Sequence, residues 1–337
     1  MSNNNLGIQI KAIEYFLPEK ILTNAEMENL FPDWSAQKIE EKTGIRERHI
    51  SHENETSLDL ALAACQKLSA KYDLQKIDFI LFCTQSPDYY LPTTACILQD
   101  KLGLRRNIGA LDFNLGCSGY VYGLALAKGL ITSGIASTIL LITSETYSKH
   151  IHPKDKGNRS IFGDGAAATI IEKVTENKIH EFVLGTDGSG YQNLIVCNGS
   201  ARHKYNYSAT EIEDEGGNVR TDNDLFMNGP EIFNFTIGNV PSLVAETLSK
   251  NNTSLEEIDY VIFHQANKYM LSYLRKKIKI AEEKFYMNME HTGNTVSATI
   301  PIALKDCMDK GLVNPGDKVL LVGFGVGYSW GATIIEI

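Results

Sequence analysis

Short apolar runs alternate along this chain with longer stretches in which apolar residues recur every third or fourth position. Residues 7–14 (GIQIKAIE) alternate as a half-buried strand does, and 78–84, 109–114, 137–144 and 166–173 are apolar runs of strand length. Between them, 56–72 and 118–134 carry apolar side chains at helical spacing, with Gly134 placed as a C-cap. The grammar returns in the second half, with strands over 179–186, 259–263, 318–323 and 332–337. Helical patterns there occupy about 230–250, 268–280 and 299–311. Strands separated by helices of this length predict an α/β chain with crossover helices on its sheets. No sequence motif repeats between the halves, so a duplicated fold is an expectation from pattern alone. Residues 187–226, rich in Gly, Asn, Asp and Tyr, read as a long mobile excursion over the functional face rather than a linker.

Composition narrows the class. The chain has 337 residues, 43% hydrophobic and 22% charged, which is ordinary for a globular protein and excludes a disordered one. That length predicts two domains or one large α/β unit. A net charge of -9, from 32 Lys+Arg against 41 Asp+Glu, argues against general nucleic-acid binding. No run of 18 apolar residues is present, so no membrane insertion is expected. The start, MSNNNLGIQI, has neither the basic nor the apolar region of a signal peptide, which makes the cytoplasm the expected compartment. Cys65, Cys83, Cys96, Cys117, Cys197 and Cys307 form no CxxC pair, and no His stands at metal-ligand spacing. Neither a disulfide framework nor a metal site is expected. What remains open is whether one cysteine is a nucleophile.

Four segments carry candidate chemistry. Cys117 lies between a strand ending near Asn114 and the helix that follows. There, unpaired amides and the positive end of the helix dipole favour thiolate and predict a lowered pKa. The alternative is a buried, inert thiol. His264 follows the apolar run Val261-Ile-Phe, at the strand end where functional groups collect in open α/β sheets; a satisfied core histidine is the competing reading. Asn294, in a polar turn leading into a helix, is by itself a turn residue or N-cap. The glycines of 323–331 suit a tight strand connection that brings backbone amides to a reacting oxygen. They do not suit a phosphate loop, since no GK[ST] follows.

Together these segments resemble the β-ketoacyl-acyl-carrier-protein synthase III (ketosynthase III) branch of the thiolase superfamily. The matching pieces run in order: TGIRERHI (43–50), PDYYLPTTACILQDKLG (87–103), the Cys117 segment, FGDGAAATII (162–171), HQAN (264–267), GNTVSATIP (293–301) and GFGVGYSWGA (323–332). The resemblance implies a thiolase-like fold: two related halves, five-stranded mixed sheets, and an α-β-α-β-α layering. Residues 1–175 would carry the nucleophile, and 176–337 the His and Asn. It implies that Cys117 takes an acyl group from acyl-CoA or an acyl carrier protein. Decarboxylative Claisen condensation with malonyl-acyl carrier protein then gives a 3-oxoacyl product, as in fatty acid biosynthesis. His264 and Asn294 would donate to the enolate, and the amides of Cys117 and Val326 would form a second hole; the family often has Gly at the latter position. Leu91, Phe162, Leu225 and Phe324 would line the acyl pocket, Leu91 by reaching into the neighbouring subunit of a homodimer. Lys42, Thr43, Lys156, Gly229 and Asn267 match the coenzyme A and pantetheine path. Arg275, Lys276 and Lys277 form a basic cluster suited to an acidic carrier protein. No cofactor is implied beyond the thioester substrates.

The departures concern the donor. The family's adenine-stacking Trp falls at Lys38 here, with Trp34 nearby. Lys42 and Lys156 stand where arginines are common, and Tyr269 replaces a carrier-binding Arg. Lysine binds phosphate as a point charge, without the planar fork of arginine. Two other functions keep the fold: an acyltransferase forming an ester or amide (or a non-decarboxylative condensing enzyme), and a non-catalytic ketosynthase partner. Intact Cys117, His264 and Asn294 weigh against the second.

Overall fold

The apolar runs assemble into two five-stranded mixed sheets in the structure, a computed structural model that describes residues 7–337. The first six residues, read above for a signal peptide, lie outside the described residues. The first sheet comprises β1 (Gly7–Phe16), β2 (Phe79–Cys83), β3 (Gly109–Phe113), β4 (Thr138–Glu145) and β5 (Gly165–Val174), in the order β1-β5-β4-β2-β3. The second comprises β6 (Val183–Thr186), β7 (Tyr260–Phe263), β8 (Phe285–Tyr286), β9 (Lys318–Gly325) and β10 (Ser329–Glu336), in the order β6-β10-β9-β7-β8. Numbered within its own half, each sheet reads 1-5-4-2-3. Each also pairs antiparallel at 1-5 and 5-4, and parallel at 4-2 and 2-3. The duplication invisible in the motifs is thus present in the topology.

Seven helices matter here: α1 (Ala36–Thr43), α2 (Ser57–Ser69), α3 (Thr94–Lys101), α4 (Gly119–Thr132), α5 (Gly229–Lys250), α6 (Lys268–Ile278) and α7 (Thr299–Asp309). α4 and α7 touch strands of both sheets and form the middle layer. α2 and α3 cover the outer face of the first sheet, and α5 covers that of the second with α6 packed against it. Tyr120, Leu124 and Ile131 of α4 join Ile300, Leu304 and Cys307 of α7 in one core between the sheets. β4, covered on both faces, is buried at every position, and the unbroken apolar stretch 139–142 is the mark of that burial. α2 begins where expected, on a Thr56–Asp59 capping box, and Gly134 takes the left-handed φ of 78° that ends α4.

Several expectations need correction. The strand expected over 179–186 starts only at Val183; Ile179 makes a single bridge to Ile335. The excursion of 187–226 contains two small antiparallel ladders, Leu194–Val196 with Leu225–Met227 and Ile212–Glu213 with Val219–Arg220. Helices Asn24–Leu30, α1 and α3 were not read from the pattern, because each spans only about two turns, too short for a helical period to show. Among the described residues, no helix is long and apolar enough to cross a membrane.

Candidate active site

Cys117, His264 and Asn294 come from three loops and line one cavity of about 150 Å³ between the halves. Cys117 follows β3 and sits two residues before α4, behind the N-cap Ser118. Its own amide and that of Val326 both face the sulfur. The approach demands glycine: a Cβ at Gly325 would lie 2.8 Å from both Cβ and Sγ of Cys117, and one at Gly323 would lie 2.8 Å from Cα of Ser118. Burial overrides the expected effect of the helix dipole. The thiol is pushed up to about 12, chiefly by desolvation and then by Glu145, while the two amides pull it down. The resting nucleophile is a neutral thiol, which corrects the expectation of a lowered pKa.

His264 directly follows β7, its backbone held by the Val322 carbonyl at 2.8 Å. Its imidazole is buried, and desolvation lowers its pKa to about 3, so it is neutral throughout the ordinary pH range. Nδ1 lies 2.8 Å from Oγ1 of Thr299, and Nε2 lies 3.5 Å from Nδ2 of Asn294. Asn294 spends its side-chain oxygen on the Val296 amide at 2.9 Å, leaving its NH2 aimed at the cavity. Thr299 Oγ1 also lies 3.0 Å from the Val296 carbonyl. When the Thr299 proton points to that carbonyl, His264 carries its hydrogen on Nδ1. When the proton turns to Nδ1, the hydrogen moves to Nε2 and faces the cavity.

Thr299 gave no separate signal in the sequence, nor did Glu145, the last residue of β4. Glu145 is fully buried, and its carboxyl is raised to about 8, mainly by desolvation. It accepts from Ser297 Oγ at 2.7 Å, the Gln85 amide at 3.0 Å and Ser86 Oγ at 3.3 Å. A carboxylate only three residues after the apolar run 139–142 was the available clue.

The other predicted site residues divide. Phe162, Phe324, Gly229 and Asn267 line the same cavity as Cys117. The Phe324 ring meets the His264 ring edge-on, with centroids 5.7 Å apart. Leu225 packs with Cys117 and Phe162, and together with Val326 it lines an adjoining groove of about 820 Å³. That groove is larger but excludes Cys117; Tyr147 and Leu194 border both spaces. Leu91 lines neither space and is 81% exposed, on the loop whose Tyr89 and Tyr90 edge the groove. The cation assignments need revision. Lys156 is buried against Asp33 as an ion pair. The Thr43 hydroxyl is committed to the Ile39 carbonyl at 2.7 Å and the Ile45 amide at 3.0 Å. Lys42 and Lys38 place their ammonium groups over the Trp34 ring, 4.7 and 4.8 Å from its centroid. In the basic cluster, Arg275 pairs with Glu282 at 2.9 Å and Lys277 donates to the Ile237 carbonyl at 2.8 Å, while Lys276 is exposed. Among the described residues, no group of three or more His, Cys, Asp or Glu is arranged to hold a metal ion.

Comparison with known proteins bears on this site. Residues 111–188 match the family model described as 3-oxoacyl-[acyl-carrier-protein (ACP)] synthase III, and 248–337 match the model of its C-terminal part. A β-ketoacyl-[acyl-carrier-protein] synthase III of Caldanaerobacter subterraneus subsp. tengcongensis is 37% identical over 324 residues, 95% of either chain. A protein of that name from Clostridium perfringens is 37% identical, over 96% of this chain and 97% of its own. A crystal structure described as 3-oxoacyl-(acyl-carrier-protein) synthase III superposes with a TM-score of 0.97 at 49% identity, covering 98% of this chain and all of the other.

Proposed function

The chain belongs to the 3-oxoacyl-[acyl-carrier-protein] synthase III family of acyltransferase-type condensing enzymes, and from that premise we propose the following reaction. Cys117 takes an acyl group from an acyl-CoA or acyl-carrier thioester, then condenses it with malonyl-acyl carrier protein. The observation that carries this reading is the convergence of Cys117, His264 and Asn294 on one cavity, with two backbone amides at the sulfur.

In the first half-reaction the sulfur attacks the acyl carbonyl, and the donor's thiol leaves with a proton. A thiol held near 12 is not a free thiolate at neutral pH, so its proton leaves in step with the attack. The amides of Cys117 and Val326 then hold the oxyanion, each such donor contributing on the order of 3 kcal/mol. In the second half-reaction the malonyl C–CO2 bond breaks and its electron pair passes to the thioester as an enolate. The enolate carbon attacks the acyl-enzyme, and the Cys117 thiolate leaves. A buried neutral His264, hydrogen on Nε2, and the Asn294 NH2 supply the two donors for the enolate oxygen.

The same reading assigns the division near residue 175, in the connection between β5 and β6. It also assigns a homodimer, supported by the protruding Leu91 loop beside an open groove, and an acidic carrier protein docking near exposed Lys276. Thioesters are then the only coenzymes needed, and the cytoplasm is the working compartment. Intact-protein mass spectrometry with a panel of short acyl-CoAs and acyl carrier proteins tests the reaction. Wild type gains one acyl mass and Cys117→Ala gains none; His264→Ala and Asn294→Ala acylate but lose condensation. Normal condensation by the latter two would overturn the enolate assignment.

A further inference from the structure

Two buried hydroxyl clasps tie the halves together, one beside each set of donors. In the first, Ser118 Oγ lies 2.7 Å from Ser329 Oγ, and Ser329 donates onward to the Val326 carbonyl at 2.9 Å. Ser329 has one proton and spends it on Val326, so Ser118 is the donor between the two serines. This chain fixes the turn whose amide faces the Cys117 sulfur. In the second, Ser297 donates to Glu145, whose other oxygen takes the Gln85 amide and the Ser86 hydroxyl. This one fixes the segment between Asn294 and Thr299, which aims both enolate donors.

The two clasps are topological counterparts. Each joins the lead-in to one half's middle-layer helix to the other half where its fourth and fifth strands meet the site, Glu145 ending a fourth strand and Ser329 opening a fifth. Ser118 precedes α4 and reaches Ser329, the first residue of β10; Ser297 precedes α7 and reaches the last residue of β4. Ser118, Ser297, Glu145 and Ser329 are 0, 1, 0 and 3% exposed. Polar groups so deeply buried stabilise little over apolar packing but impose geometry. The second segment needs that imposition: Val296, β-branched, is held at a left-handed φ of 55°.

Resting on the condensing reading above, we propose that these clasps are positioning devices, each governing one half-reaction. Ser118 and Ser329 set the acyl-transfer hole at Cys117 and Val326. Ser297 and Glu145 set the enolate hole at His264 and Asn294. None of the four lines the cavity or the adjoining groove. A donor displaced by a fraction of an ångström loses most of its effect on a developing charge, so each clasp acts on rate rather than on folding.

The test measures the half-reactions separately. Cys117 acylation is followed by rapid-quench intact mass, and malonyl decarboxylation by single turnover on enzyme already acylated. Ser118→Ala and Ser329→Ala are expected to slow acylation about tenfold or more while decarboxylation stays within about threefold. Ser297→Ala and Glu145→Leu, which removes the oxygens that hold Ser297, Gln85 and Ser86, are expected to show the reverse, with Ser297→Thr, which keeps the hydroxyl, restoring decarboxylation. Each clasp has two variants, so one that fails to fold leaves the comparison intact. Equal slowing of both half-reactions by both pairs, as general loosening produces, would overturn the assignment, and so would no change in either. Wild type that forms no acyl adduct would remove the condensing reading, and this inference with it.

Discussion

At the scale of single residues, His264 shows how burial and one hydroxyl decide what a side chain can do. Desolvation keeps the ring neutral, and a neutral imidazole offers a hydrogen on only one nitrogen at a time. The Thr299 hydroxyl, 2.8 Å from Nδ1 and 3.0 Å from the Val296 carbonyl, chooses which. A donor to the enolate must carry the hydrogen on Nε2, so Thr299 has to give its proton to Nδ1. Thr299→Val, with nearly the same volume, removes that choice; the ring then keeps its hydrogen on Nδ1, toward the Val296 carbonyl. We expect the rate of malonyl decarboxylation to fall about tenfold to a hundredfold, the range typical of one lost donor, while the KM for the malonyl carrier changes little. Thr299→Ser, which keeps the hydroxyl, should remain near wild type. A KM effect without a rate effect would show that the hydroxyl serves binding instead.

At the scale of elements, α6 separates what was legible from what was not. Its amphipathic period fixed the helix, and the basic run at its end was plain in the sequence. Which cations are free was not, because that depends on partners brought in by the fold. Glu282, from the next turn, neutralises Arg275, and α5 offers Lys277 the Ile237 carbonyl. We expect Lys276→Glu to raise the KM for the carrier protein several-fold at low ionic strength, an effect that shrinks with added salt, without changing Cys117 acylation by a small acyl-CoA. Arg275→Gln should change the carrier KM less than Lys276→Glu does. Equal effects would mean that Arg275 leaves Glu282 on docking. The same contrast holds elsewhere. Cys117, His264 and Asn294 were legible because each stands in a run whose strand, turn and helix signals agree. Lys156 was read as a nucleotide contact because Asp33, 123 positions away, gave no local sign of pairing with it. Glu145 and Ser297, 152 positions apart, became meaningful only when the halves came together.

At the scale of the whole molecule, the repeated 1-5-4-2-3 topology brings the loop ends of both sheets to one centre, and the chemistry there strains stability in opposite directions with pH. His264 is lowered from an ordinary 6.5 to about 3. Unfolded chains therefore bind a proton at His264 as pH drops below 6.5, while the folded protein does not, so stability is lost between about 6.5 and 3. Glu145 is raised from an ordinary 4.5 to about 8. Its contribution is fully present below 4.5 and is lost as pH rises toward 8, because the unfolded chain gives up that proton first. Cys83 from β2, Cys117, Tyr147 and Asp164 surround the same carboxyl and are common to wild type and variant, so a difference measurement isolates the one group. The melting temperature of Glu145→Gln minus that of wild type should climb by several degrees between pH 5 and 8 and then level off. For His264→Asn the corresponding difference should climb as pH falls from 7 toward 5, the mirror image. A flat difference for Glu145→Gln across that range would mean that the carboxyl titrates in the folded protein as it does in the unfolded chain. The clasp at Ser297 would then hold an ordinary carboxylate at neutral pH.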